Sequence, residues 1–96
     1  MRLRLTPKAL NDLRGIADYI RERNPAASER VKASLQDAMD LLADYPDAGA
    51  LQRLGVRRYA VPRLPYLIFY RRNDAEQVID VLTIRHSARE PSSFTD

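Results

Sequence analysis

The fold of this 96-residue chain is decided by Thr6–Pro25, which reads TPKALNDLRGIADYIRERNP. Thr6 is a favourable N-cap, and Pro7 is favoured at the first helical position. The apolar residues then recur every three or four positions and form a single stripe, namely Leu10, Leu13, Ile16, Ala17 and Ile20. We therefore predict an amphipathic helix that ends near Arg23. Gly15 costs about 1 kcal/mol relative to Ala inside a helix, which suggests a close packing contact there.

The dipeptide Asn24-Pro25 ends the first helix and starts a second one. A residue before proline avoids helical dihedral angles, Asn is a good N-cap, and proline suits the first helical position. The second helix should run to about Asp44 or Tyr45 with its own apolar stripe, Ala27, Val31, Leu35, Ala38, Met39 and Leu42. Because the connection is so short, we expect the two helices to form an antiparallel hairpin.

The remaining segments read as strands around the helical hairpin. Met1–Leu5 alternates polar and apolar residues, as a short strand does, and residues 46–55 are rich in turn formers. Three further strands are predicted, Val56–Val61, Tyr66–Arg72 and Val78–Arg85, the last two joined as a hairpin through residues 73–77. The order β-α-α-β-β-β predicts an α+β domain, with the helical hairpin packed on a mainly antiparallel, twisted sheet.

Composition limits the protein to one small domain over residues 1–96, with a polar tail from about residue 90 to 96. The absence of cysteine excludes disulfides, thiolate zinc sites and a cysteine nucleophile. We find no signal peptide, membrane span or glycine-rich phosphate loop, and so expect a cytoplasmic protein that uses no cofactor and contacts no membrane. The aspartates of the helices lie mostly on predicted exteriors, where a solvated surface is more common than a metal site.

Charge is concentrated in residues 51–72, which carry six arginines and no acidic residue. A segment of this kind favours an anionic partner, either nucleic acid or an acidic protein segment, although it is also compatible with a solvated strand face. Tyr59 and Tyr70 lie among these arginines and could stack on single-stranded RNA or belong to the core.

His86 is the only histidine and follows the last predicted strand. It could act as a general acid or base, with Arg89 three residues later holding a phosphate. The alternative is a structural histidine that closes the strand by hydrogen bonding to a loop. The sequence alone leaves both interpretations open.

The order of these segments and several of their motifs resemble the RelE/ParE superfamily of bacterial toxins. Ala9, Asp12, Leu13, Ile16 and Tyr19 match a signature A-x-x-D-L-x-x-I-x-x-Y in the first helix. Further matching pieces follow in the expected order, Leu42–Gly49, Gly55–Tyr59, Tyr66–Arg71 and Val81–Arg89. The resemblance implies the toxin of a type II toxin–antitoxin system, a ParD-like antitoxin partner that wraps it, and contact with operator DNA only through that antitoxin.

The resemblance leaves the target open between two branches. RNA-cutting members carry a strand arginine where this chain has Leu67, a basic residue where it has Ser87, and a C-terminal tyrosine where Phe94 is the nearest aromatic. These departures favour the ParE-like branch, whose members inhibit DNA gyrase without chemistry of their own. The alternatives are a RelE-like mRNA endonuclease acting on the ribosome, with His86 and Arg89 as its catalytic candidates, and a non-toxic module that only binds the antitoxin.

For either target, the resemblance and the charge pattern predict the same contact residues. We expect antitoxin or target contacts from Arg57, Arg58, Tyr59, Arg63, Tyr70, Arg71, His86 and Arg89. Among these, Arg57, Arg58 and Arg71 are predicted to dock carboxylates of the antitoxin.

Overall fold

A computed structural model describes residues 1–88 and confirms the α+β arrangement of two helices on one sheet. The elements are β1 (Arg2–Leu5), α1 (Pro7–Arg23), α2 (Pro25–Asp44), β2 (Ala50–Leu51), a short 3-10 turn (Arg53–Gly55), β3 (Val56–Ala60), β4 (Tyr66–Asn73) and β5 (Val78–His86). The predicted polar tail at residues 90–96 lies outside the described residues.

Side-chain hydrogen bonds cap the start of α1 and the junction between α1 and α2. The Thr6 hydroxyl accepts a hydrogen bond from the Ala9 N–H at 3.2 Å and donates to the Val81 carbonyl at 2.8 Å. Asn24 ends α1, where its N–H donates to the Ile20 carbonyl, and its side chain accepts from the Ala27 N–H of α2 at 3.1 Å. Both predicted N-caps are confirmed, and one residue joins the two helices.

The sheet has the order β1-β5-β4-β3-β2. All neighbouring strands run antiparallel except β1, which pairs with β5 in parallel and places Leu3 opposite Ile79 and Leu5 opposite Val81. The sequence did not reveal this partner. The pairing is consistent with burial, since Leu3 and Leu5 both pack against the same core as their strand neighbours.

The helical hairpin covers one face of the sheet, and the core lies between them. Its fully buried members come from both layers, and they include Leu35, Leu42, Ile68, Ile79 and Val81. Burying a side chain of this size contributes roughly 1.5–3 kcal/mol each. Side chains alternate along the strands, with one shift at a β-bulge where Phe69 pairs with Thr83 and Tyr70 with Val81, and the residues between core positions point to the face without helices.

Two sequence-based expectations differ from the structure. Residues 46–55 are not entirely loop, because Ala50–Leu51 pairs with Arg57 and Arg58 as the edge strand β2. Gly15 does not mark a close packing contact, because a Cβ placed there would meet no atom within 4 Å. Gly15 instead lines a surface groove beside α1, described below.

Asp12 closes the part of the β5 edge that β1 leaves uncovered. β1 ends opposite Val81, and the Asp12 carboxylate then accepts hydrogen bonds from the Ile84 N–H at 3.1 Å and from the Thr83 hydroxyl. Lys8 donates to the same carboxylate at 2.7 Å. Burial opposes ionisation of Asp12, but these hydrogen bonds outweigh it and lower the pKa of the carboxyl. Asp12 is therefore an exception to the expectation that the helix aspartates lie mostly on the exterior.

We predict that Asp12→Ala lowers the free energy of unfolding by about 2 kcal/mol, because it leaves a strand N–H and a buried hydroxyl without their acceptor. Chemical denaturation at neutral pH measures this loss. Because the pKa of Asp12 is lowered in the folded state, its contribution is complete above the usual carboxyl value of 3.8 and disappears as the pH falls through the lowered value. The difference in the free energy of unfolding between Asp12→Ala and the unmodified protein should therefore become smaller in strong acid.

The matched control is Asp18→Ala on the same helix, where the carboxylate is exposed and pairs with Arg21. An exposed pair contributes at most about 1 kcal/mol, so this variant should unfold close to the unmodified protein. Equal losses for the two variants would contradict the role of Asp12 at the sheet edge.

Candidate functional surfaces

The predicted site residues separate onto the two faces of the sheet. On β3, Tyr59 packs against the core beneath the helices, so its neighbour Arg58 points to the opposite, open face. On β4, Tyr70 belongs to the core, which places Arg71 on the open face as well. In register, Arg58 lies opposite Phe69 and Arg71 opposite Val56. The two arginines are therefore diagonal neighbours on one surface.

Arg58 and Arg71 are exposed, and within the described residues neither makes a hydrogen bond or ion pair to a carboxylate. Asp80 lies opposite Arg71 in register but is held by Arg4, whose guanidinium nitrogen is 2.7 Å from the carboxylate. This hydrogen bond lowers the pKa of Asp80, and the charge of Arg71 lowers it further. The pair Arg58 and Arg71, which we call the open-face arginines, thus presents charge available to an anionic partner.

Arg57 has a different position, on the helix-facing side of β3. Its guanidinium donates to the Gly49 carbonyl at 2.8 Å and lies 3.4 Å from the Asp47 carboxylate. Arg72 binds the same carboxylate at 2.7 Å and lowers the pKa of Asp47. Arg57 therefore stabilises the segment between α2 and β2, and it is not equivalent to the open-face arginines.

Tyr70 is fully buried and holds the segment between α2 and β2 in place. Its hydroxyl donates to the Pro46 carbonyl and accepts from the Gly49 N–H, both at 2.8 Å. Burial raises the pKa of this hydroxyl, so it remains protonated and can donate. A Cβ at position 49 would lie 2.8 Å from the Tyr70 hydroxyl, which explains why glycine occupies it. The structure thus places Tyr70 in the core, where its side chain is inaccessible to solvent.

His86 lies in a groove of about 480 Å³ between α1 and the ends of β4 and β5. The described lining residues are Asn11, Asp12, Gly15, Ile16, Tyr19, Tyr66, Ile84 and His86. The Tyr66 and His86 rings meet edge to face with centroids 5.6 Å apart. The His86 Nδ1 accepts a hydrogen bond from the Ala88 N–H at 3.2 Å, so Nε2 is the nitrogen left for another contact.

The His86 groove contains no lysine or arginine among its described lining residues. His86 is on the helix side of the sheet with α1, whereas the open-face arginines are on the other side. The structure therefore does not bring the histidine and these arginines together. Arg89, the other predicted member of the histidine site, lies outside the described residues.

Tyr59 and Arg63 line a second groove, about 310 Å³, between α2 and the end of β3. Ala38, Leu41 and Val61 give it an apolar floor. Arg63 has a φ of 67° in the turn that follows β3. These two predicted residues therefore share one concave surface, apart from both His86 and the open-face arginines.

The sequence-based reasoning missed the apolar turn between β2 and β3. Leu51 is 61% exposed and Leu54 is 83% exposed. The available signal was a leucine directly before Gly55 in a segment of turn formers, where polar residues are usual. Within residues 1–88 the structure shows no cluster of potential metal ligands, and no helix combines the length and apolar character needed to cross a bilayer.

Comparison with known proteins places the chain among toxins. The family model described as the ParE toxin of the type II toxin–antitoxin system parDE matches residues 3–91. Toxin RelE2 of Caulobacter vibrioides is 39% identical over 84 residues, which cover 88% of this chain and 92% of that protein. Putative toxin Y4kP of Sinorhizobium fredii is 34% identical over 90 residues, covering 93% and 91% of the two chains.

Solved structures share the fold. A chain of the chromosomal ParDE system from P. aeruginosa has a TM-score of 0.77 at 24% identity and covers 90% of this chain and 95% of its own. A chain of the toxin–antitoxin complex RelBE2 from Mycobacterium tuberculosis gives 0.61 at 21% identity, covering 88% of each. The isolated E. coli RelE toxin gives 0.64 at 17% identity, covering 97% of this chain and 88% of its own.

We predict that Tyr70→Phe lowers the free energy of unfolding by about 1–3 kcal/mol, because it removes the hydroxyl partner of the Gly49 N–H and the Pro46 carbonyl. Thermal and denaturant unfolding measure the loss. Tyr59→Phe is the control, since the Tyr59 hydroxyl makes no hydrogen bond within the described residues. If both variants unfold alike, the Tyr70 hydroxyl does not hold this segment.

Proposed function

Because this chain belongs to the ParE toxin family of type II toxin–antitoxin systems, we propose that it stops bacterial growth by binding DNA gyrase and that it does not cleave RNA. It is a toxin of the RelE/ParE superfamily. The observation that carries the proposal is the separation of His86 from the open-face arginines by the thickness of the sheet.

Cleavage of RNA requires two kinds of group at one phosphate. A proton-transfer group must reach the attacking hydroxyl, and a cation must stabilise the charge that develops on the phosphate. In this chain the histidine groove has no cationic lining residue within residues 1–88, and the open-face arginines have no histidine beside them. A toxin that acts by binding needs no such combination, and the arginine-bearing open face suits it directly.

The runner-up is a RelE-like mRNA endonuclease that acts on the ribosome. One observation favours it specifically, since the relative with 39% identity is named toxin RelE2. On this alternative, His86 Nε2 is the proton-transfer atom and Arg89 the cation that would have to join it. The third alternative is a chain that binds an antitoxin but is not toxic.

We expect the purified chain to inhibit supercoiling by DNA gyrase and to leave translation in a cell extract unaffected. His86→Ala should inhibit gyrase as strongly as the unmodified chain, because the proposal gives His86 no proton-transfer role. A gel assay of plasmid topology and a translation assay with intact mRNA measure the two activities.

Loss of full-length mRNA in the translation assay, abolished by His86→Ala, would contradict the gyrase proposal and support the endonuclease. A chain that inhibits neither process and leaves growth normal on expression would support the non-toxic alternative. The fold of His86→Ala is checked by its unfolding transition, because the variant also loses the ring contact with Tyr66.

We also propose that a ParD-like antitoxin neutralises the chain through the open-face arginines. Arg58 and Arg71 are exposed and lie beside Phe69 on the face that no helix covers, and the nearest carboxylate to Arg71 in register, Asp80, is hydrogen-bonded to Arg4. Carboxylates of an acidic segment fit this charge, and the planar guanidinium can bind them with two hydrogen bonds. Two of the structural neighbours come from toxin–antitoxin systems, which supports a partner of this class.

We predict that the double variant Arg58→Glu/Arg71→Glu weakens antitoxin binding by about tenfold to a hundredfold, because each reversal replaces a weak attraction with a repulsion. Calorimetry at low and moderate salt measures the affinity. Arg14→Glu/Arg30→Glu makes the same charge change on the helical hairpin and should bind the antitoxin normally. If the hairpin variant is the weaker binder, the antitoxin docks on the helices.

A further inference from the structure

The turn between β2 and β3 holds two leucines away from the core. Val56 donates its N–H to the Arg53 carbonyl, and the two residues between them, Leu54 and Gly55, both have positive φ, at 59° and 75°. This is the pattern of a type I′ turn. Leu51 lies just before the turn on β2, and the two leucine side chains are among the most exposed apolar groups of the described residues.

Leucine is an unfavourable residue at the first central position of such a turn. Positive φ brings its Cβ close to the backbone, and the position strongly prefers Asn, Asp or Gly. The chain therefore accepts backbone strain and exposure of a large apolar side chain at the same residue. A residue held in an unfavourable conformation without a packing benefit points to a use outside the folded domain.

The turn is held in place by the structure around it. Gln52 donates its N–H to the Val56 carbonyl at 2.7 Å, and β2 pairs with β3 at Arg57 and Arg58. Directly before β2, Gly49 is bonded to the buried Tyr70 hydroxyl and to Arg57. Leu51 and Leu54 therefore lie on a convex, pre-organised tip, and such a tip loses little conformational freedom on binding.

We propose that Leu51 and Leu54 form the contact through which this toxin enters an apolar pocket, rimmed by carboxylates, on a folded target protein. The rim chemistry follows from the charge of the tip, since Arg53 lies between the two leucines in sequence and Arg58 lies opposite Ala50, the neighbour of Leu51, in a stretch that contains no acidic residue. The inference rests on the proposed function to the extent that the chain acts by binding a folded protein, and it assigns the surface used.

The convex shape of the tip favours a folded target over the antitoxin as its partner. An antitoxin segment that becomes ordered only on binding has no pocket of its own and suits concave surfaces of the toxin. Away from the tip, this chain offers such a segment the open-face arginines and two grooves, the Tyr59 groove and the His86 groove. A convex apolar tip requires instead a pocket that exists beforehand, as folded proteins provide.

The positive charge of the tip argues against a second copy of the chain as its partner. Two copies that met through their tips would bring Arg53 and Arg58 of each copy together, with no acidic residue between residues 48 and 73 to offset the repulsion. β2 is also only two residues long, so pairing between two such edges would add few backbone hydrogen bonds.

The decisive variant is Leu54→Asn, because Asn-Gly is the preferred pair for a type I′ turn and the substitution should preserve or raise the melting temperature. We expect it to reduce growth inhibition and gyrase inhibition by at least about tenfold, the loss of one leucine from an apolar pocket. Antitoxin affinity should stay within about twofold by the same conversion of affinity to free energy. Leu51→Thr, a substitution suited to a strand, should act in the same direction.

Leu10→Gln is the matched control, because Leu10 is a partly exposed leucine on α1 and glutamine is compatible with a helix. It should retain full inhibition. A Leu54→Asn chain that is folded and as inhibitory as the unmodified one would overturn the proposal. Loss of antitoxin affinity in Leu54→Asn with toxicity retained would overturn the proposal in favour of the antitoxin as the partner. A dimer of the unmodified chain that Leu54→Asn loses in sedimentation would overturn it in favour of a second copy.

The two readouts separate this inference from the gyrase proposal. If Leu54→Asn loses growth inhibition while the unmodified chain leaves gyrase active, the tip is supported and gyrase is the wrong target. If the unmodified chain inhibits gyrase and Leu54→Asn does so equally, gyrase is supported and the tip is overturned. An unmodified chain that inhibits neither growth nor gyrase overturns both.

Discussion

Two helices can cover only one face of a five-stranded sheet, and the alternation of side chains along the strands, shifted once by a β-bulge between β4 and β5, assigns each residue to the covered or the open face. Tyr59 and Tyr70 enter the core, and their neighbours Arg58 and Arg71 are left on the open side. The register shift at the bulge puts His86, two residues after the core residue Ile84, with α1 on the covered side. The separation of histidine from arginine, on which the functional argument depends, is a direct result of this geometry.

Local signals predicted the helices because caps and apolar spacing act over a few residues. The partner of β1 could not be predicted in this way, since pairing with β5 joins residues about 75 positions apart and leaves no local trace. The role of Asp12 could not be predicted for the same reason, because the strand edge that it closes lies at Ile84. The sequence suggested which residues could form a site, but not which of them would share a surface.

Arg57 and Arg58 show that residue type alone does not predict which side chains are available to a partner. They are identical side chains in adjacent positions, yet Arg57 binds Gly49 and Asp47 within the chain while Arg58 points to the open face. A count of arginines in residues 51–72 therefore overstates the charge that a partner can meet. The candidate binding surfaces of this toxin are better defined by strand register than by composition, because register separates its open face from its two grooves and its apolar tip.

Asn24 is at once the last cap of α1 and the first cap of α2, so the hairpin has no spare residue at its bend. Adding or deleting one residue there would rotate α2 by about 100° about its axis, since a helix has 3.6 residues per turn. Leu35 and Leu42 would then swing away from the sheet. The bend thus fixes the rotation of α2 relative to α1, and an insertion or deletion at Asn24 is expected to disrupt the core.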